Sequence, residues 1–337
     1  MRIIVDAFGG DNAPLSVIEG AAMAKKEYSA DIVLVGKEET IKEVADKNSI
    51  SLDGIEIVNA DEVIEMCDDP TFVLKKANSS MSVGLKMLAQ GEGDAFVSAG
   101  STAALVVGAT LIVKRLKGIK RAALATVLPG EKKNTMLLDV GANAVCRPSM
   151  LLQFAAMGSV YMNKIYGIEN PKVGLINIGA EETKGTPLQL ETYSLLKESR
   201  LNFAGNLEPR DIPSTECDVA VADGFTGNVV LKLTEGVVKM FSRKIKAIFK
   251  KNIFTMFAAA IVNGGIKEFK KSFDYTEHGG APLLGVSKPV IKAHGSSNAK
   301  AIKNAIRQAK TCAESDMIGK IREELAALPE ITEGTEE

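Results

Sequence analysis

The sequence predicts a doubly wound α/β fold, which is a mostly parallel sheet with helices on both faces. Five short apolar runs end in small or amide-bearing residues, as in RIIVDAFGGDNAP from Arg2 and KVGLINIGAEETKG from Lys172. Runs that are apolar on both faces are typical of buried parallel strands. Segments with helical periodicity separate these runs, which is the alternation expected of a layered α/β protein.

Taken in chain order, the elements alternate until about residue 226 and then change character. A strand is expected from Arg2, and later strands near Asp94, Thr135, Lys172 and Asp218. Helical periodicity covers residues 14–26, 40–48, 82–88 and 103–116. Two long helices are predicted next, over 228–251 and 297–328, each with one apolar stripe that suits a core or a subunit interface.

Composition excludes several classes of protein. The 337 residues carry a net charge of -1, whereas binding to the phosphate backbone of a nucleic acid normally needs a basic surface. The four cysteines are far apart and form no CxxC pair, so neither a zinc site nor a disulfide framework is expected. The chain opens directly on a strand, without the pattern of a signal peptide, and a cytoplasmic location is expected.

We expect residues 1–328 to form a single catalytic domain, with a helical insertion for membrane contact protruding at about 235–275. The acidic tail, 329–337, is expected to be disordered. Within 250–273 an apolar stretch is about half as long as a bilayer span requires, and lysines flank it on both sides. This pattern suits an anionic membrane surface, contacted by Ile253, Phe254, Phe257 and Ile261. Packing into the core or against a dimer partner is the alternative that the sequence leaves open.

The polar ends of the five strands are the candidate binding site. In open α/β sheets, ligands bind beyond the carboxyl ends of the strands, so we expect these ends to converge on one crevice. Glycine allows close approach of backbone N–H groups, and helix N-termini favour anions, which together suit a phosphate-like group. The candidate residues for phosphate or substrate binding are Asp6, Gly9, Gly10, Asp11, Gly100, Ser101, Asn143, Asn177, Gly179, Gly185, Asp223 and Gly224.

Neither a cofactor nor a metal is expected. The glycine-rich turns match neither G-x-G-x-x-G nor the P-loop pattern. The aspartates at the strand ends are scattered over separate strands without the spacing of a ligand set.

Seven ordered strings resemble the bacterial phosphate acyltransferases of phospholipid synthesis, and the likeness runs from about residue 2 to residue 328. They are VDAFGGDNAP from Val5, SAGSTAAL from Ser98, LDVGAN from Leu138, IGAEETKG from Ile178, ADGFTGNVVLK from Ala222, GGAPLLG from Gly279 and KAHGSSNA from Lys292. Members of that family commonly have a histidine where this chain has Asn12, so no imidazole base is available there. Ser287 and Lys288 also stand where a glycine-containing turn is more usual.

The resemblance implies a reaction and a set of partners. A fatty acyl group would pass from the thioester of acyl carrier protein to inorganic phosphate, which gives acyl phosphate. The fold implied is a three-layer α/β/α sheet like that of isocitrate or isopropylmalate dehydrogenase, with long C-terminal helices, in a homodimer. The family also implies peripheral association with the inner face of the cell membrane, where a membrane glycerol-3-phosphate acyltransferase would receive the product.

The residues suggest a mechanism compatible with this reaction. Phosphate is already an anionic nucleophile, so we expect direct attack on the thioester, without an acyl-enzyme, helped by proximity and orientation. Lys184 would neutralise the phosphate, and amides at Gly9, Gly10, Gly100 and Ser101 would surround it. One of Asn143, Asn177 and Asn228 would bind the thioester oxygen. His294 is a candidate proton donor to the departing thiol, or else a structural residue that caps the next helix.

Three rivals remain at the level of sequence. A phosphotransacetylase-like transferase would use coenzyme A as donor. A decarboxylating dehydrogenase of the same fold would need clustered metal-binding aspartates. A non-catalytic scaffold recruited to the membrane would bind an anion only for regulation.

Overall fold

A computed structural model describes residues 1–272 and 279–328, so the predicted disorder of the tail 329–337 lies outside the described residues. Eleven strands form one sheet. They are β1 Arg2–Asp6, β2 Asp31–Gly36, β3 Ile55–Asn59, β4 Ala95–Ser98, β5 Ala123–Leu128, β6 Thr135–Leu138, β7 Val173–Ile176, β8 Phe203–Leu207, β9 Val219–Val221, β10 Ala281–Leu284 and β11 Val290–Lys292.

Helices connect and cover these strands. They are α1 Leu15–Tyr28, α2 Glu38–Lys47, α3 Phe72–Lys75, α4 Ser80–Gln90, α5 Thr102–Gly108, α6 Pro148–Tyr166, α7 Pro187–Glu198, α8 Gly224–Phe249, α9 Ile253–Ser272, α10 Ala299–Glu314 and α11 Met317–Ala326. A π-helical turn, Ala109–Lys114, continues α5, and a 3₁₀ helix spans Pro209–Ser214. The four helices predicted in the first half of the chain are therefore present.

The predicted three-layer α/β/α architecture is confirmed. Alternate residues of β1 enter two different hydrophobic clusters, Ile3 and Val5 on one face of the sheet and Ile4 on the other. Both faces are therefore covered, as the uninterrupted apolar runs predict. The strand order is β3-β2-β1-β4-β11-β10-β5-β6-β9-β7-β8.

The direction of the strands changes within this sheet. Strands β1, β2, β3, β4 and β11 are mutually parallel, and β10 is antiparallel to both β11 and β5. Strand β5 in turn is antiparallel to β6. Strands β6, β9, β7 and β8 are parallel to one another. The half that contains β6, β7 and β9 therefore runs opposite to β1 and β4. The expectation that all five strand ends meet at one edge is wrong, because these three antiparallel pairings separate them into two clusters.

The single long helix predicted over 297–328 is two helices, α10 and α11. Ser315 between them is extended, with ψ 146°, and its hydroxyl donates to Cys312 O at 2.9 Å. A serine that bonds to the backbone in this way competes with continuation of the helix. The apolar stripe nevertheless stays buried on both sides of the break, through Ile302 and Ile306 and then Met317 and Ile321.

Helices α8 and α9 form a hairpin whose apolar side chains face solvent. Phe254 is 81% exposed, Phe257 68% and Ile261 85%, while Leu233 and Phe241 on α8 are also more than half exposed. The alternative that this segment packs into the core of its own chain is therefore wrong. Between the two helices lies a groove of about 550 Å³ with a mainly apolar lining. Within 1–272 and 279–328, no helix combines the length and apolarity needed to cross a bilayer.

Candidate active site

The first cluster lies at the carboxyl ends of β1, β4 and β11, and Asp6 organises it. The buried Asp6 carboxylate accepts hydrogen bonds from Ser98 Oγ at 2.6 Å and from Phe8 N at 3.2 Å. Burial raises the pKa of Asp6 above its ordinary value, against the effect of these donors. A Cβ at Gly9 would lie 2.6 Å from Asp6 Oδ2, so glycine is required for this close packing. Asp6 therefore holds two turns together.

Several amides of these turns already have partners. Gly100 N donates to Ser98 Oγ at 3.0 Å, and Asp11 N donates to Gly295 O at 2.8 Å. Ser101 is the N-cap of α5, where its hydroxyl accepts from Ala104 N. Gly10 has a φ of 103° and packs against Gly295 O, which only glycine allows. The Gly100 amide, expected from the sequence to bind phosphate, therefore donates to Ser98 Oγ in this structure.

Asn12 fastens this cluster to the segment after β11. Its Nδ2 donates to Ser296 O and to Ser297 O, each at 3.2 Å. Asn12, which stands where the resembled family commonly has histidine, therefore links the turn after β1 to the segment after β11.

Lys292, at the end of β11, is a site residue that the sequence reasoning did not select. It is buried, and its Nζ donates to Ala99 O at 3.2 Å and also to Ala293 O. Burial lowers the pKa of Lys292 to about 8, although Asp6 and Asp11 oppose the shift. The available signal was a lysine within the strand run VIKAHG, where a buried cation is unusual and points to function.

His294 lies in the turn that follows. Ser296 N donates to its Nδ1 at 3.2 Å, so Nδ1 is the acceptor nitrogen and Nε2 carries the proton. Burial, and next the charge of Lys232, lower the pKa of His294 below its ordinary value. The imidazole is therefore neutral at pH 7 and is a poor acid. The bond from Ser296 N lies in the turn before α10, whose N-cap is Asn298, so His294 does not cap that helix directly.

The second cluster lies at the end of β6 and is organised by Asp139. This fully buried carboxylate accepts from Leu124 N at 2.9 Å, Ala142 N at 3.1 Å and Asn143 N at 2.7 Å. Asn143 Nδ2 donates to Asp139 Oδ2 at 2.9 Å and to Ala122 O at 2.8 Å. Both amide hydrogens of Asn143 are therefore bonded within the protein, and binding of the thioester oxygen by Asn143 would require one of these bonds to break.

The same cluster fixes the start of α8. Asp223 is its N-cap and accepts from Thr226 N at 2.9 Å and Thr226 Oγ1 at 2.7 Å. A Cβ at Gly224 would lie 2.6 Å from Asn143 O. Asp223 and Gly224, both expected to bind substrate, therefore have structural contacts that set the direction of α8.

The turn after β7 presents Lys184. Asn177 closes this turn, since its Nδ2 donates to Lys184 O at 3.0 Å and its Oδ1 accepts from Ile178 N at 2.8 Å. Gly185 has a φ of 102°, and the Lys184 side chain lies beside Gly179. Lys184 is exposed, and within the described part of the chain its ammonium forms no ion pair. Asn177 is thus a positioning residue, while the charge of Lys184 is available to an anion.

Helix α8 connects the two clusters. Asn228 lies over Gly141, which belongs to the second cluster, and its side-chain amide has no hydrogen-bond partner among the residues that the structure describes. Lys232 follows four residues later, on the same face of the helix, and its charge acts on both Lys292 and His294. The candidate active site therefore lies along this face of α8, between the two groups of strand ends.

Comparisons of the sequence with known proteins place it beside one family. The family described as Fatty acid synthesis protein matches residues 1–320. A protein of Thermoanaerobacter pseudethanolicus named phosphate acyltransferase is 49% identical over 330 residues, which are 97% of this chain and 98% of that protein. One of Clostridium botulinum with the same name is 47% identical over 98% of this chain and 99% of its own.

Solved structures of lower identity share the fold. A phosphotransacetylase from Streptococcus pyogenes superposes with a TM-score of 0.64 at 20% identity, over 94% of each chain. A 4-hydroxythreonine-4-phosphate dehydrogenase from Klebsiella pneumoniae gives a TM-score of 0.55 at 12% identity, over 93% of this chain and 99% of its own. At these identities the likeness concerns architecture alone.

Proposed function

Because the chain belongs to the fatty acid synthesis protein family and is an acyltransferase, we propose that it moves a fatty acyl group from the thioester of acyl carrier protein to inorganic phosphate. The observation that carries this proposal is the identity of nearly half, over almost the whole chain, to curated phosphate acyltransferases. The product would be acyl phosphate, a mixed anhydride for phosphatidic acid synthesis.

The site supports direct attack by phosphate. The Lys184 ammonium forms no ion pair among the described residues, and a lysine ammonium binds phosphate as a point charge. Of the three candidate asparagines, Asn143 uses both amide hydrogens within the protein, Asn177 uses one, and Asn228 uses neither among the described residues. We therefore assign Lys184 to phosphate and Asn228 to the thioester oxygen, where charge develops in the transition state.

The α8–α9 hairpin is the proposed contact with the membrane. Residues 236–267 contain seven lysines and arginines and no acidic residue, and the exposed side chains of Ile253, Phe254, Phe257 and Ile261 lie within this segment. Apolar side chains surrounded by cations suit the interface of an anionic bilayer. The protein would then work in the cytoplasm at the inner face of the membrane, close to a glycerol-3-phosphate acyltransferase that takes up its product.

The exposed stripe of α8 is the proposed dimer contact. Leu233, Val237 and Phe241 follow one another at helical spacing and are 66%, 38% and 52% exposed. An apolar stripe of this kind on a water-soluble domain is typical of an interface between subunits.

The test of the function is a trapping experiment. Purified protein is incubated with palmitoyl-acyl carrier protein, with and without phosphate, and hydroxylamine traps acyl phosphate as the hydroxamate. We expect hydroxamate only when phosphate is present, and more from the carrier protein than from palmitoyl-coenzyme A. Faster reaction with coenzyme A would favour the phosphotransacetylase-like alternative, and no reaction with either donor would favour a scaffold.

The same assay tests Lys184. Lys184→Ala should raise the KM for phosphate about tenfold or more and change kcat less, since a hydrogen bond to a charged group contributes about 1.5–3 kcal/mol. Lys288→Ala, on the loop between β10 and β11, is the matched control and should behave as wild type. An unchanged KM for phosphate in Lys184→Ala would exclude the role proposed for Lys184.

A further inference from the structure

The environment of Lys292 is unusual in one geometric respect. Its Nζ lies among backbone carbonyls, donating to Ala99 O and to Ala293 O, and both acceptors are fixed by β4 and β11. An ammonium has three N–H donors, and the structure describes no third acceptor within hydrogen-bond distance. The side chain is only 6% exposed, so water does not freely solvate the remaining donor.

This geometry makes one position of Nζ exchangeable. A neutral amine retains two N–H donors, so both carbonyls stay bonded when the proton leaves. Only the third substituent position on Nζ changes: it holds an N–H in the ammonium and a lone pair in the amine. The two bonds to the carbonyls fix the direction in which this position points. Lys292 is therefore able to gain and lose a proton without rearrangement of the turns at Gly100 and Gly295.

The charged groups that face Lys292 keep this exchange close to neutral pH. Asp6 from β1 and Asp11 from the next turn favour the ammonium, whereas Lys232 from α8 disfavours it. Neutral His294 is the other titratable group beside it. The pKa of about 8 that results, mainly from burial, lies near the working pH, which is the condition for efficient general acid–base catalysis.

We propose that Lys292 is a catalytic residue that carries the proton from phosphate to the departing thiol, an inference that rests on the function proposed above. A phosphate oxygen forms the bond to the thioester carbon, and the carbon–sulfur bond breaks with its electron pair on sulfur. The ammonium of Lys292 gives a proton to that sulfur. The amine then takes the proton that HPO₄²⁻ loses, so the products are acyl phosphate and a neutral thiol, and Lys292 returns to its first state.

The buried hydroxyl of Ser297 is a second observation that favours binding of a polar ligand in this cluster. Ser297 is 3% exposed, and its Oγ has no hydrogen-bond partner in the described part of the chain. It lies in the turn 294–297, which begins two residues after Lys292. Two buried polar groups with unused capacity in neighbouring turns are consistent with a substrate that supplies the missing contacts.

The experiment compares two thioesters in the Lys292→Met variant. Palmitoyl-acyl carrier protein releases an alkyl thiol, which needs a proton, whereas the palmitoyl thioester of 5-thio-2-nitrobenzoate releases a stable thiolate. Loss of a general acid should lower phosphate-dependent turnover of the first donor by about 100-fold or more, and that of the second by less than about tenfold. Equal loss with both donors would mean a structural role and would overturn the proposal, as would wild-type turnover of the first.

Two further measurements keep the proposal falsifiable if Lys292→Met folds poorly. In the wild type, turnover of the alkyl thioester should fall as pH rises above about 8, because the ammonium is the donor. Lys292→Arg keeps a positive charge that does not titrate, so it should be as slow as Lys292→Met with this donor. Full activity of the arginine variant would show that charge alone is needed. A wild type that forms no hydroxamate would instead refute the proposed function itself.

Discussion

Replacement of Phe257 by glutamate tests the membrane contact directly. The side chain is 68% exposed in the free protein, so about two-thirds of its transfer free energy is available on binding. Complete burial of a phenylalanine contributes about 1.5–3 kcal/mol, and the exposed part therefore about 1–2 kcal/mol. The new negative charge near anionic lipid costs about 1 kcal/mol more. The sum, about 2–3 kcal/mol, corresponds to a 30- to 150-fold weaker partition onto vesicles.

Flotation with vesicles that contain phosphatidylglycerol measures this partition. Leu111→Glu is the matched control, because Leu111 is a comparably exposed apolar residue outside the hairpin, at 56%. It should bind vesicles as wild type does. Turnover of a soluble acyl donor should be the same in wild type and Phe257→Glu. If Phe257→Glu binds vesicles as tightly as the control, residues 253–261 do not contact the membrane and the dimer alternative gains support.

Two more predictions concern the site. Asn228→Ala should lower kcat about 100-fold or more without loss of stability, whereas Asn143→Ala should lower the free energy of unfolding by about 1–3 kcal/mol, because Asp139 loses a donor. Steady-state kinetics and urea denaturation separate the two effects, and the opposite pattern would reverse the roles of these two asparagines. The second prediction concerns pH: the folded pKa of Lys292 is about 8, against its usual 10.5, so the unfolded chain binds the extra proton between these values. The stability of wild type relative to Lys292→Met should therefore rise on the order of 3 kcal/mol as pH increases through that range, and parallel pH curves would contradict this.

Periodicity and local sequence predicted much of the fold. Runs apolar on both faces identified β1, β4, β6, β7 and β9, since burial on both faces leaves no polar alternation. The apolar stripe of 297–328 predicted which residues are buried, although not the break at Ser315, because a stripe continues across a short interruption. The motif strings identified the family and the chemistry. Asp6, Lys184 and Asn228 all lie in those strings.

Tertiary structure decided how the strand ends are used. The reversal combines the local pairings β10–β11 and β5–β6 with the pairing of β10 and β5, which are distant in sequence. It divides the expected crevice into two clusters. Whether an asparagine amide is free depends on neighbours such as Ala122 O, which no local pattern shows. The same holds for Lys292 at the end of β11, because its burial, which lowers its pKa, depends on the packing of distant segments. Sequence alone thus determined the class of fold and reaction, because these follow from local composition and motifs. Only the structure showed which polar groups are already bonded within the turns, because those bonds depend on contacts across the sheet.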